Sequence, residues 1–114
     1  MEEKLKIIVD AIQSTNGYDI IIYDFTSINP FIDRVVLCDG DNQRQVYALA
    51  NNIRDALKTR GYDVKHFEGN KESKWILLDV DDIIVHVFLD EERHFYALEK
   101  LYADLARLEQ HYDL

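Results

Sequence analysis

The sequence predicts a single α/β domain of the α+β type, in which about five strands form one mixed sheet with flanking helices. Three segments place apolar residues at helical spacing, and five short segments are rich in β-branched and aromatic residues. Their order, α-β-β-α-β-β-β-α, allows one mixed sheet with helices packed over it. The chain has 114 residues, 47% of them apolar, with only 4 Gly and 1 Pro. This composition suits one globular core and excludes collagen-like and disordered chains.

The chain begins with a helix and two strands. Apolar residues at the spacing i, i+3, i+4, i+7 predict a helix over residues 2–15; they are Leu5, Ile8, Val9 and Ile12. Asn16-Gly17 then ends this helix in a left-handed conformation. Residues 20–25 are apolar on both alternating faces, which predicts an interior strand. Residues 34–38 form the second strand, and Asp39-Gly40-Asp41 follows as a turn.

The second helix is the clearest element of the sequence. Asp41 or Asn42 can cap its N-terminus, and Gly61 ends it. Its apolar stripe should pack against the sheet and consists of Val46, Leu49, Ala50, Ile53 and Leu57. Tyr47 is the one large aromatic residue on the other face, where it marks either a contact or a shield for the helix.

The remaining elements are three strands and a helix. Residues 63–67 can form a short strand. Two longer strands at 75–79 and 83–88 flank Val80-Asp81-Asp82, a spacing suited to a tight hairpin, and their apolar runs predict central positions. Asp90 then caps a final helix, whose core stripe is Phe95, Leu98, Tyr102 and Leu105. The domain therefore covers residues 1–108, and residues 109–114 form a C-terminal tail.

The charge of the chain bears on its partners. The net charge is −9, and residues 67–114 alone hold 12 acidic and 5 basic residues. Binding to a phosphate backbone depends on Lys and Arg, so sequence-specific nucleic-acid binding is not expected. The acidic half serves either as a solvating face or as an electrostatic match for a basic partner.

The single cysteine and the N-terminal residues indicate the cellular compartment of the protein. Cys38 has no second cysteine with which to form a disulfide or a cysteine-based zinc site within the chain. Residues 1–4 are charged and lack a signal-peptide pattern, and no apolar run approaches the ~20 residues of a membrane span. We therefore expect a cytoplasmic protein that does not bind a membrane.

The strongest candidate for a catalytic site in the sequence is Asp79-Val80-Asp81. Carboxylates two apart on an extended segment point the same way and could share a divalent metal, as in a nucleotidyltransferase. Such an enzyme also needs a Gly-Ser phosphate loop, which is absent here, so these residues are predicted to be turn carboxylates. His86, between Ile84 and Phe88, is predicted to be a neutral core histidine. No catalytic residue, metal or cofactor is expected; a metal-dependent nucleotidyltransferase-like enzyme using Asp79 and Asp81 is the alternative.

Two blocks of the chain resemble the ribosomal silencing factor family, also called RsfS, Iojap or YbeB. The first block runs from Ile28 to Ile53 and contains Asp33-Arg34-Val35-Val36-Leu37-Cys38-Asp39-Gly40. The second block contains Trp75-Ile76-Leu77-Leu78-Asp79 and Asp82-Ile83-Ile84-Val85-His86-Val87-Phe88 in the order and spacing of that family. The resemblance covers about residues 5–105, although the family usually has Gly where this chain has Asp81.

The resemblance implies both a fold and a function. The implied fold is nucleotidyltransferase-like without the catalytic residues. The implied function is to bind the large ribosomal subunit through ribosomal protein fourteen of that subunit, which blocks joining of the small subunit and represses translation. Family members are often homodimers, so a self-associating regulatory domain is a further possibility.

The partner-binding residues are predicted around the only tryptophan of the chain. An interface needs an apolar anchor, because charges at its rim contribute little affinity. Trp75 shares a strand face with Leu77 and Asp79 and is the natural candidate; the alternative is that it caps the core. The predicted binding residues are Trp75, Leu77, Asp79, Val80, Asp81 and Asp82.

Overall fold

The computed structural model describes residues 3–93 and 107–108, which form a mixed sheet with two helices packed on one face. The helices are α1 (Glu3–Ser14) and α2 (Gln43–Thr59). The strands are β1 (Tyr18–Asp24), β2 (Arg34–Gly40), β3 (His66–Glu68), β4 (Trp75–Asp79), β5 (Ile83–Leu89) and β6 (Arg107–Leu108). A 3₁₀ turn at Asp90–Glu92 follows β5.

The sheet has the strand order β3-β4-β5-β2-β1-β6 within the part of the chain that the structure describes. β2 and β5 pair in parallel, with Val36 opposite Val85, and the other neighbouring strands are antiparallel. The mixed sheet of about five strands is thus confirmed, with a two-residue sixth strand at its edge. β4 and β5 each have a neighbour on both sides, as expected from their apolar runs.

Helix α2 forms where its stripe and cap predict it. The side chain of Asn42 accepts a hydrogen bond from the Gln45 backbone N–H at 2.9 Å and so caps the first turn. The whole stripe of Val46, Leu49, Ala50, Ile53 and Leu57 is fully buried. The helix is therefore held in place mainly by the burial of this stripe.

The end of α1 brings the backbone close to α2. Asn16 takes the left-handed conformation, with φ at 62°, and the Gly17 N–H donates to the Ile12 carbonyl at 2.8 Å. A Cβ on Gly17 would lie 2.5 Å from Cγ2 of Ile12 and 2.8 Å from Cδ2 of Leu49. Gly17 is needed for this close contact, whereas Asn16 supplies the left-handed turn.

Alternation along the strands divides the buried residues between the two faces of the sheet. One set packs under the helices and includes Ile22, Val36, Cys38, Ile76, Leu78, Val85 and Val87; we call it the helix-side core. The outer cluster, on the opposite face, consists of Ile21, Tyr23, Val35, Leu37 and Phe88, with half-buried Phe25, Ile32, Trp75 and Ile84 packed against it. The outer cluster carries the candidate site.

Several predictions about element ends are wrong. Asp39 and Gly40 do not form a turn, because they pair with Phe88 and Leu89 at the end of β2. β3 lies at His66–Glu68 rather than 63–67, because its pairing with β4 begins at His66 opposite Asp79. Asp90 is not a helix cap: the Tyr18 hydroxyl lies 2.6 Å from its carboxylate, and no side chain caps the 3₁₀ turn. The predicted final helix does not reach Arg107–Leu108, which pair with β1 as a strand.

Other parts of the predicted C-terminal half lie outside the described residues. These are the stripe of Phe95, Leu98, Tyr102 and Leu105 and the tail at 109–114. Within the described residues, neither helix has the length and apolar character that crossing a membrane requires. The likeness to nucleotidyltransferases stays a prediction.

Candidate functional site

The candidate site is the outer face of β4. Trp75, Leu77 and Asp79 are half-buried, whereas the alternate residues Ile76 and Leu78 are fully buried in the helix-side core. The period of two in a strand therefore places the first three on one face, as predicted. This face is the part of β4 that is accessible to solvent.

Trp75 is held in one orientation by two neighbours on β5. Its indole Nε1–H donates to Nδ1 of His86 at 2.9 Å. Its ring stacks on Phe88, with 5.1 Å between centroids and 25° between planes. The tryptophan is therefore an ordered aromatic side chain, half-buried at the edge of the outer cluster.

His86 is a neutral histidine. Its side chain is 5% exposed, and this burial lowers its pKa to about 4. The Nδ1 atom must be unprotonated to accept the indole hydrogen bond, which agrees with the lowered pKa. The prediction of a buried histidine bonded to a neighbour is confirmed.

The β4–β5 turn is built around a left-handed residue. Asp81 has φ at 72°, and its backbone N–H donates to Oδ1 of Asp79 at 3.0 Å. The Val80 N–H donates to the Ile83 carbonyl at 2.9 Å and closes the hairpin. The Asp79 carboxylate therefore orders the turn, and the exposed Asp81 forms its tip.

Two of the predicted binding residues point away from the outer face. Val80 is 1% exposed and belongs to the helix-side core, because it continues the inward alternation of Ile76 and Leu78. The prediction that Val80 is a partner-binding residue at the surface is therefore wrong. Asp82 forms an ion pair with Lys4 of α1, whose ammonium also donates to the Val80 carbonyl. The structure thus brings together Trp75, Leu77 and Asp79, with Asp81 at the end of the same hairpin.

The residues of the enzyme alternative have structural roles here. Asp79 accepts the turn hydrogen bond, and its neighbour Asp81 projects from the hairpin tip. Among residues 3–93 and 107–108, no three His, Cys, Asp or Glu side chains are grouped so that they could hold a metal ion. Cys38 is buried, and burial raises the pKa of its thiol, so it packs rather than reacts.

Sequence reasoning missed a buried ion pair at the far end of β2. Arg93 donates to Oδ1 of Asp39 at 2.7 Å and to the Asp19 carbonyl at 2.8 Å. Burial raises the pKa of Asp39 to about 6, although Arg93 opposes the shift. No sequence pattern links residues 54 positions apart. The pair fastens the segment after β5 to β1 and β2.

Sequence reasoning also missed the exposed apolar side chains in the loop between β1 and β2. Phe31 is 80% exposed and Ile28 is 58% exposed, although both are large apolar residues. A side chain's exposure depends on the path of the loop, and residue type alone does not reveal it.

Comparisons with known proteins agree on one family. A family model described as "Ribosomal silencing factor during starvation" matches residues 1–113. The chain is 39% identical to ribosomal silencing factor RsfS of Bacillus subtilis, over 88% of this chain and 85% of that protein. It is 31% identical to RsfS of Halalkalibacterium halodurans, over 95% of this chain and 92% of that protein.

Solved structures support the same grouping. A crystal structure of a Chromobacterium violaceum protein matches with a TM-score of 0.84 and 34% identity, covering 100% of this chain and 94% of that one. A Bacillus halodurans structure has a TM-score of 0.84 and 30% identity, covering 95% and 98%. The mouse protein named mitochondrial assembly of ribosomal large subunit protein 1 is 25% identical over 86% of this chain and 44% of its own length.

Proposed function

Because this chain belongs to the ribosomal silencing factor family, we propose that it binds the large ribosomal subunit through ribosomal protein fourteen of that subunit. The bound protein covers the face that meets the small subunit, blocks joining sterically and so represses translation. The observation that supports this most directly is the ordered, half-buried Trp75 on the outer face of β4.

The fixed geometry of Trp75 favours a role as a binding anchor. Tryptophan is among the residues that contribute most to binding when they enter a partner's pocket. Fixing a side chain on binding costs about 0.5–1.5 kcal/mol, and here His86 and Phe88 already restrict the indole before binding. Leu77 lies two residues along the same face and extends the apolar contact.

The charges beside this face favour a basic partner. Asp82 is offset by Lys4, but no Lys or Arg within residues 3–93 forms an ion pair with Asp79 or Asp81. Ribosomal proteins are generally basic, so these carboxylates would raise the rate and specificity of docking. They would equally disfavour contact with the phosphates of ribosomal RNA.

In this proposal the protein is a regulator rather than an enzyme. It acts by binding, in the cytoplasm. The Asp79 carboxylate accepts a hydrogen bond within the hairpin turn, and Cys38 is buried in the core. Neither residue is therefore expected to act as a catalytic group at the outer face. Self-association through a homodimer stays a prediction that sedimentation of the free protein would test.

The test is a sucrose-gradient assay with purified bacterial subunits. Wild type should migrate with large subunits and prevent their joining to small subunits. Trp75→Ala should weaken binding about thirtyfold or more, which corresponds to about 2 kcal/mol. Phe67→Ala is the matched control, because Phe67 is also a half-buried aromatic residue but packs against the helix-side core.

Two results would contradict the proposal at different levels. If wild type never migrates with large subunits, the function itself is wrong. If Trp75→Ala remains folded by circular dichroism and still blocks joining at wild-type concentrations, the function stands but the anchor is misplaced.

A further inference from the structure

The loop between β1 and β2 presents two apolar side chains to solvent. Phe31 and Ile28 are the large apolar residues that are exposed within the described part of the chain, at 80% and 58%. Two exposed apolar side chains within one short loop are typical of a contact surface.

Hydrogen bonds hold this loop in a defined shape. The Asn29 side chain accepts from the backbone N–H groups of Phe31 at 2.8 Å and Ile32 at 3.0 Å. The Phe25 N–H donates to the Asp33 carbonyl at 2.8 Å, which closes the base of the loop. Phe31 is therefore displayed from an ordered turn, so binding would restrict little further backbone freedom.

The loop adjoins the hairpin that carries the candidate site. The Asp33 and Arg34 N–H groups donate to the Asp82 carbonyl at 2.7 and 3.3 Å. Ile32, next to Phe31, packs on the same outer cluster as Trp75. At ~3.3 Å per residue, β4 separates Trp75 from the hairpin by about 13 Å. A standard interface of ~800 Å² per partner is wide enough to include both ends.

The charges around the loop indicate what it binds. Arg34 pairs with Asp24 and Lys4 pairs with Asp82, whereas within residues 3–93 no Lys or Arg forms an ion pair with Asp33 or Asp81. This acidic setting would repel the phosphates of RNA and attract a basic protein surface.

We propose that Phe31 and Ile28 form a second apolar anchor, which inserts into the same basic protein surface that Trp75 contacts. This inference rests on the proposed function and extends its interface across the hairpin to the β1–β2 loop. Binding then depends on apolar contacts at Trp75 and in the β1–β2 loop, which adjoins the hairpin that carries Asp79 and Asp81.

The experiment measures the affinity of the full chain for purified large subunits. Phe31→Ala should weaken binding about tenfold, and Phe31→Leu, which keeps an apolar side chain, should weaken it less. Ser27→Ala is the matched control, because Ser27 is an exposed residue of the same loop. Since Phe31 is mostly exposed, all three variants should melt at nearly the wild-type temperature.

The outcomes separate the two proposals. If Trp75→Ala loses binding but Phe31→Ala binds like wild type, the second anchor is refuted and the proposed function stands. If wild type does not bind large subunits, both fail. The second anchor is also refuted if Phe31→Ala changes only self-association in sedimentation, or only binding to protein-free ribosomal RNA.

Discussion

Acidification should destabilise the protein through His86. Its pKa is about 4 in the folded chain, against an ordinary value of 6.5, because burial disfavours the charged ring. The unfolded chain therefore takes up a proton first as pH falls, and stability is lost between about pH 6.5 and pH 4. The full difference corresponds to about 3 kcal/mol, of which about 2 kcal/mol should be lost by about pH 5.

Urea unfolding at about pH 7.5 and pH 5 measures this loss, with the single tryptophan as the fluorescent probe. His86→Gln is the control, since glutamine does not titrate and can still accept the indole hydrogen bond. The pKa of Asp39 is raised to about 6, so its effect on stability has the opposite sign, but wild type and variant share it. If both proteins change equally between the two pH values, His86 is not buried as a neutral ring.

Three substitutions test the packing and the turn by urea unfolding. Leu49→Ala should cost ~2–5 kcal/mol because Leu49 is fully buried in the α2 stripe; a cost below ~0.5 kcal/mol would mean that the helix register is wrong. Gly17→Ala should cost ~1–3 kcal/mol, since the added methyl group would overlap Ile12 and Leu49; unchanged stability would contradict the close contact. Asp81→Gly should stabilise by up to ~1 kcal/mol by relieving a left-handed φ of 72°, and a loss would show that the carboxylate has a stabilising contact.

The helices and main strands could be predicted because burial and periodicity act together in them. Leu49 and Ile53 are apolar at helical spacing, and Ile76 and Leu78 alternate along β4; all four are fully buried. In these elements the local pattern and the tertiary packing favour the same structure.

The candidate site was predictable only in part. Alternation along β4 placed Trp75 correctly beside Leu77 and Asp79, and the same alternation continued by one residue turns Val80 inward, which its assignment to a surface turn overlooked. Asp90 is of a residue type that often caps helices, yet its carboxylate lies within hydrogen-bond distance of the Tyr18 hydroxyl, 72 positions away. Such contacts depend on how distant segments meet, which local sequence does not encode.

The parallel pairing of β2 with β5 has a consequence for how the chain is made. β2 ends at Gly40 and its partner begins at Ile83, so the centre of the sheet joins segments that leave the ribosome far apart in time. Long-range pairing of this kind slows folding, because a large loop must close first. Until β5 emerges, one edge of the apolar β2 has no partner and is open to aggregation. A nascent chain of this protein therefore cannot pair β2 with β5 until β5 has left the ribosome.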